Sequence, residues 1–135
     1  MEKGLPHGKH LATGPPVLLR SWSNTLVSVR QVTQRNAGRY TAGVDGQLAI
    51  TPHARMNLAE ELHRHAQPWK PRPVKRVYIP KANGKLRGLG IPIIADRAQQ
   101  ARVRNALEPE WEARFEPRSY GFRHPTAVSC QAVLC

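Results

Sequence analysis

VKRVYIPKANGKLRGLGIP occupies residues 74–92. Two short β-prone runs flank Asn83-Gly84. That dipeptide marks a tight reversal, because both residues tolerate the positive φ a hairpin turn demands. The stretch therefore predicts a β-hairpin over residues 75–91, with Lys81, Lys85 and Arg87 near its tip. Cations carried outward on a hairpin suit phosphates and do nothing for a core. A strict two-residue turn at Asn83-Gly84 would pair Lys81 with Leu86. Lys81 and Arg87 would then stand on opposite faces, and joint contact with one ligand requires a looser or strongly twisted tip.

Downstream of the hairpin, Asp96 is placed to cap a helix that begins Arg97-Ala98-Gln99-Gln100. Val103, Leu107, Trp111 and Phe115 recur every fourth residue and predict a buried stripe. Pro109 predicts a kink, or a stop near Glu108 and a restart. Arg97, Arg102 and Arg104 give the same helix a basic side. Tyr120, Phe122 and Arg123 then form an aromatic and basic cluster. Ala132, Val133 and Leu134 need cover that nothing after them supplies, so the chain reads as cut short.

Upstream, Pro68, Pro71 and Pro73 hold the chain extended, with Trp69 among them as a core plug. Thr51-Pro52 is a helix start, Thr as the cap and Pro in the first turn. Met56, Ala59, Leu62 and Ala66 supply its narrow apolar face. The glycine-rich loop 41–46 reads as a turn, with Asp45 bonding its own backbone. Before it, Leu18, Trp22, Leu26 and Val29 predict one face of a helix that stops near Asn36-Ala37-Gly38.

Composition sets the outer bounds. The 135 residues carry a net charge of +12, which implies an anionic partner, most commonly nucleic acid. Ten lysines and arginines lie between Lys70 and Arg104 against one acid, Asp96, while four acids lie between Glu108 and Glu116. Segregation of that kind favours a phosphate-facing surface over uniform solvation. No apolar run approaches the roughly 20 residues of a membrane span, and no secretion signal opens the chain, so a cytoplasmic location is expected. Cys130 and Cys135 read as free thiols. Glu61, His63 and His65 lie close together without metal-ligand spacing, so no metal site is expected.

Three blocks of this sequence resemble the N-terminal part of group II intron-encoded reverse transcriptases, also called maturases. VRQVTQRNAGRYTAGVDG, residues 29–46, resembles the family's N-terminal extension. PVKRVYIPKANGKLRGLGIP, residues 73–92, resembles its first fingers motif. DRAQQARVRNALEPEWEARFEPRSYGFR, residues 96–123, resembles its second. The resemblance implies an α+β chain: a helical N-terminal extension followed by polymerase fingers with one basic hairpin, palm and thumb absent. The implied organisation is a disordered leader (1–16), the extension (17–67), a fingers part with the hairpin (68–123) and a divergent, truncated tail (124–135).

By the same resemblance, Lys81 and Arg87 would contact the triphosphate of an incoming nucleotide. Lys75, Arg76, Lys85, Arg97 and Arg123 would lie along template or intron RNA. Two departures stand out. The family usually has Pro after the hairpin arginine, where this chain has Gly88. After Arg123 the family continues Pro-Gly-Arg-Ser, and this chain reads His124-Pro125-Thr126-Ala127.

The family is one of RNA-directed DNA polymerases, whose palm aspartates hold Mg2+. The aspartates of this chain, Asp45 and Asp96, fall in the extension and the fingers. The expectation is therefore a chain without a catalytic or cofactor site of its own. It would bind RNA and be inactive as a polymerase unless a palm is supplied in trans. The alternative is a stand-alone basic RNA-binding module.

Overall fold

The computed structural model describes residues 15–65 and 68–114. They form α1 (Pro15–Arg20), α2 (Trp22–Arg30), a π turn (Gln31–Arg35) and a 3-10 turn (Ala37–Tyr40). Then come α3 (Pro52–Arg64), strands β1 (Lys75–Pro80) and β2 (Leu86–Ile91), and α4 (Ile94–Arg114). The class is α+β, as expected. The helices pack on one another, and the two strands pair with each other in an antiparallel hairpin.

α4 is the centre of the helical part and touches α1, α2 and α3. Its inward face is Ile94, Ala98, Ala101, Arg102 and Ala106, a run of three- and four-residue steps made mostly of alanine. Alanines occupy little room, so α2 lies close against this face. α2 answers with small side chains of its own: Thr25, Ser28 and Val29 are buried. Their polarity is neutralised locally. Thr25 Oγ1 donates to Ser21 O at 3.2 Å and Ser28 Oγ to Asn24 O at 2.7 Å, one helical turn back. Asn105 Nδ2 of α4 donates to Ser28 Oγ at 3.1 Å, which stitches the two helices together.

This packing corrects the expected face of the first helix. Trp22 and Leu26 are 39% and 38% exposed, and Ser21 separates α1 from α2. Trp22 instead sets its ring edge-on to His63 of α3, 4.7 Å between centroids. The regular α2 ends at Arg30, earlier than expected; the π turn carries the helical run on to Arg35, and it stops at Asn36 in extended backbone (φ −69°, ψ 141°) without a left-handed cap. α3 starts as expected: Thr51 Oγ1 accepts from Ala54 N at 3.2 Å and Pro52 fills the first turn. Its buried residues are Leu58, Ala59 and Leu62, with Met56 turned outward.

α4 departs from expectation in four ways. Val103, Leu107 and Trp111 lie on an exposed face, because the alanine face won the inward position. The alternative of a stop near Glu108 does not occur: the helix runs on through Pro109, which sacrifices one backbone hydrogen bond without ending the element. Asp96 sits inside the first turn and is buried. Arg102 belongs to no basic side: it is 0% exposed.

Arg102 works as a buried fastener. Its Nη1 donates to Leu62 O at 2.7 Å and to Gln99 Oε1 at 3.1 Å, and its Nη2 donates to Leu19 O at 2.6 Å. One guanidinium thus ties α4 to the end of α3 and to α1. Asn24 Nδ2 adds a bond to Arg102 O at 3.0 Å. Burial pushes the guanidinium below its ordinary pKa, the direction desolvation imposes on any cation.

Candidate nucleic-acid interface

The hairpin closes through three residues, Ala82-Asn83-Gly84. Lys81 N donates to Lys85 O at 2.8 Å, and Gly84 N donates to Lys81 O at 3.0 Å. Gly84 has φ +75°, the left-handed conformation that glycine adopts freely. Asn83 Oδ1 accepts from Lys85 N at 3.2 Å and braces the tip. A three-residue loop that ends in a left-handed glycine is a common hairpin connection.

The loop length decides where the cations go. The strand register pairs Ile79 with Arg87 and Val77 with Leu89, so Lys81 faces Lys85 at the tip. Because side chains alternate along a strand, Lys75, Lys81, Lys85 and Arg87 share one face. A two-residue turn would have split Lys81 from Arg87; the third loop residue reunites them. Val77, Ile79, Leu89 and Ile91 lie between the cations, giving a face both basic and apolar. Arg76 stands on the opposite face with Tyr78 and Pro80. There the Tyr78 ring lies across Gly88: a Cβ at Gly88 would meet Tyr78 Cε1 at 3.6 Å.

The hairpin takes no part in the core. Of its strand residues, Val77 and Ile91 are half-buried and the others exposed. The ion pairs Glu60–Arg64 and Glu110–Arg114 lie on the surfaces of α3 and α4.

The hairpin root is fixed to the first turn of α4. Trp69 Nε1 donates to Asp96 Oδ1 at 2.8 Å, and Arg72 N donates to Asp96 Oδ2 at 2.9 Å. Trp69 also packs on the core, the role expected of it. On the other stem, Ile93 is buried under Gly43, where a Cβ would fall 2.6 Å from Ile93 Cα. Gly43 is therefore a close-approach glycine. Asp45 accepts from Gln47 N at 3.2 Å in the turn that follows.

Arg97 Nη1 donates to Gly38 O at 2.9 Å and its Nη2 donates to Thr41 O, so the side chain straps the loop 38–41 onto α4. Burial lowers its pKa, with Asp45 acting in the other direction. Arg97 thus serves the fold where the hairpin cations serve the surface. Arg123, with Tyr120 and Phe122, lies outside the described residues, as do residues 1–14 and 115–135. Magnesium finds no fitting set here: the Asp96 oxygens bind Trp69 and Arg72, Asp45 holds its own turn, and no group of three potential ligands exists among the described residues. No helix among them is long and apolar enough to cross a membrane.

Arg102 escaped the sequence reading, since a charged side chain mid-helix ordinarily faces water. The π turn left no legible signal either.

Comparison with known proteins bears on the family of the chain. Residues 12–62 match the family described as the N-terminal domain of reverse transcriptase. Protein YkfC of Escherichia coli K12 is 41% identical over 106 residues, which cover 76% of this chain and 28% of that protein. Maturase-like protein 1 of Euglena gracilis is 32% identical over 128 residues, 93% of this chain and 28% of the relative. The group II intron-encoded protein LtrA of Lactococcus lactis is 50% identical over 65 residues, 47% of this chain and 10% of LtrA. The chain thus spans less than a third of the length of these curated relatives. It belongs to the group II intron reverse transcriptase and maturase family and corresponds to that family's N-terminal region.

Proposed function

We propose that this chain binds RNA through the basic face of its hairpin and does not polymerise DNA by itself. The observation that carries the reading is the three-residue turn, which gathers Lys75, Lys81, Lys85 and Arg87 on one exposed face. Four cations on one side of a ribbon can meet one phosphate backbone together, which four scattered ones cannot. The apolar residues between them suit the sugar and base faces of an unpaired strand. Lys81 and Arg87, now neighbours, are the pair proposed to meet a nucleotide triphosphate. A point charge beside a guanidinium fork is suited to that ligand. Lys75 and Lys85 follow the RNA, and Arg76 reaches a strand passing the other face.

The proposed lack of polymerase activity rests on the carboxylates. Two-metal nucleotidyl transfer needs acidic ligands free to hold metal ions. Asp45 and Asp96, the aspartates of this chain, are engaged in a turn and in the hairpin root.

Two measurements on the 135-residue protein test these statements. Its affinity for a single-stranded RNA oligonucleotide should fall steeply and log-linearly with salt, as counterion release requires. Affinity that ignores salt would overturn the RNA reading. A primed RNA template with deoxynucleotides and Mg2+ should yield no extended product. Extension by the purified protein would overturn the second statement.

A further inference from the structure

A second basic concavity lies away from the hairpin, between the π turn and α4. It encloses about 350 Å³ and is lined by Val27, Arg30, Gln31, Arg35, Arg104 and Asn105. Three of the six are arginines, and among the described residues no carboxylate lines it.

The π turn is what assembles it. Asn36 N donates to Gln31 O at 2.9 Å, a bond five residues back in place of four. In a regular α-helix, residues five apart point about 140° away from each other, at 3.6 residues per turn. Arg30 and Arg35 would then face different neighbours. The wider turn stacks residues five apart on one side, and both arginines line the same cleft. Arg104 meets them from α4.

The two walls are held rigidly. Asn105 Nδ2 bonds Ser28 Oγ at 3.1 Å, and Asn24 Nδ2 bonds Arg102 O at 3.0 Å. A cluster of like charges on a fixed frame repels itself, and an anion entering the cleft relieves that repulsion. Gln31 adds a neutral amide donor beside the guanidinium forks, which suits an oxygen-rich ligand with several acceptors.

We propose that this cleft is a phosphate site that holds one phosphodiester of a bound RNA, separate from the hairpin contact. The proposal rests on the RNA-binding reading but is separable from it by variant. The cleft fixes the position of a second point along the strand. Two anchored points orient a strand where one would let it pivot.

The test compares two variants of the 135-residue chain by RNA affinity across a potassium chloride series, with circular dichroism to check the fold. Arg30→Gln/Arg35→Gln/Arg104→Gln should weaken binding and lower the salt slope by about 0.7 units, the increment for one phosphate of single-stranded RNA no longer neutralised. Lys81→Gln/Lys85→Gln/Arg87→Gln probes the hairpin in parallel. A cleft variant with the parent slope, beside a weakened hairpin variant, overturns the cleft and leaves the hairpin reading standing. Parent behaviour in both variants overturns both. Should the cleft variant misfold, arginine modification by a dicarbonyl reagent on the unaltered chain decides the matter. RNA should protect Arg30, Arg35 and Arg104, and modification at the free-protein rate would overturn the site.

Discussion

Arg102 and Arg87 are the same residue type put to opposite uses. In the helical part, Arg102 is withdrawn from water and donates to the carbonyls of Leu62 and Leu19, which holds three helices in place. In the hairpin, Arg87 stands exposed beside Lys81 and Lys85, on an element with no core of its own. The helical part uses polar groups to close its interior; the hairpin holds its cations outward from a fixed root. Net charge thus divides into structural and surface portions that composition does not separate. Arg97 and Arg102 belong to the first portion, and Lys75, Lys81, Lys85 and Arg87 to the second.

The sharpest way to break this comparison is Arg102→Ala. Its removal leaves the Leu19 and Leu62 carbonyls without their donor and opens a void among α1, α3 and α4. The expected loss is about 3–5 kcal/mol in denaturant unfolding, a large share of the stability of a small domain. A loss below about 1 kcal/mol on the same scale would mean that Arg102 is a passenger.

Asp96→Ala comes next, at about 2–3 kcal/mol for two hydrogen bonds to a charged acceptor. It also frees the Trp69 indole and the Arg72 amide, so the hairpin root loosens. Amide exchange in the hairpin stem should accelerate while α2 is little changed. Equal acceleration in both would show that the root is not a separate element.

Gly43→Ala should cost about 1–3 kcal/mol by forcing the loop off Ile93. The neighbouring Gly46→Ala is the control: nothing lies within 4 Å of its Cβ, so its cost comes from φ +66° alone and is about 1 kcal/mol. Thermal unfolding of the pair separates close approach from backbone preference. Equal shifts would contradict the close approach.

The smallest effect on stability is expected at the tip. Neutralising Lys81, Lys85 and Arg87 together should move it by no more than about 0.5 kcal/mol, because the side chains touch no core.

What could be read from the sequence follows this same division. The hairpin was legible because its signals are local: Asn83-Gly84, flanking β-prone runs and a cluster of cations. Its loop length was not, and one extra residue reversed which cations share a face. The Thr51-Pro52 start and the Asp45 turn were legible for the same local reason. The inward faces of α2 and α4 were hidden. Thr25 and Ser28 bond their own helix and bury as if apolar, while Ala98 and Ala101 outcompete Val103 and Leu107 because small residues let helices approach. A hydrophobic ranking favours the larger side chains and so picks the wrong stripe. No residue type in 31–35 announces the π turn.

The central claim, that the hairpin cations serve RNA and not the fold, is tested most directly in one preparation of the Lys81→Gln/Lys85→Gln/Arg87→Gln protein. Its unfolding midpoint and its RNA affinity are measured beside those of the parent. An unchanged midpoint with weaker binding is the result predicted: with no nucleotide present all three tip cations meet single-stranded RNA, and their loss lowers the salt slope by about two units. A lowered midpoint, or an affinity and slope equal to the parent's, would contradict it.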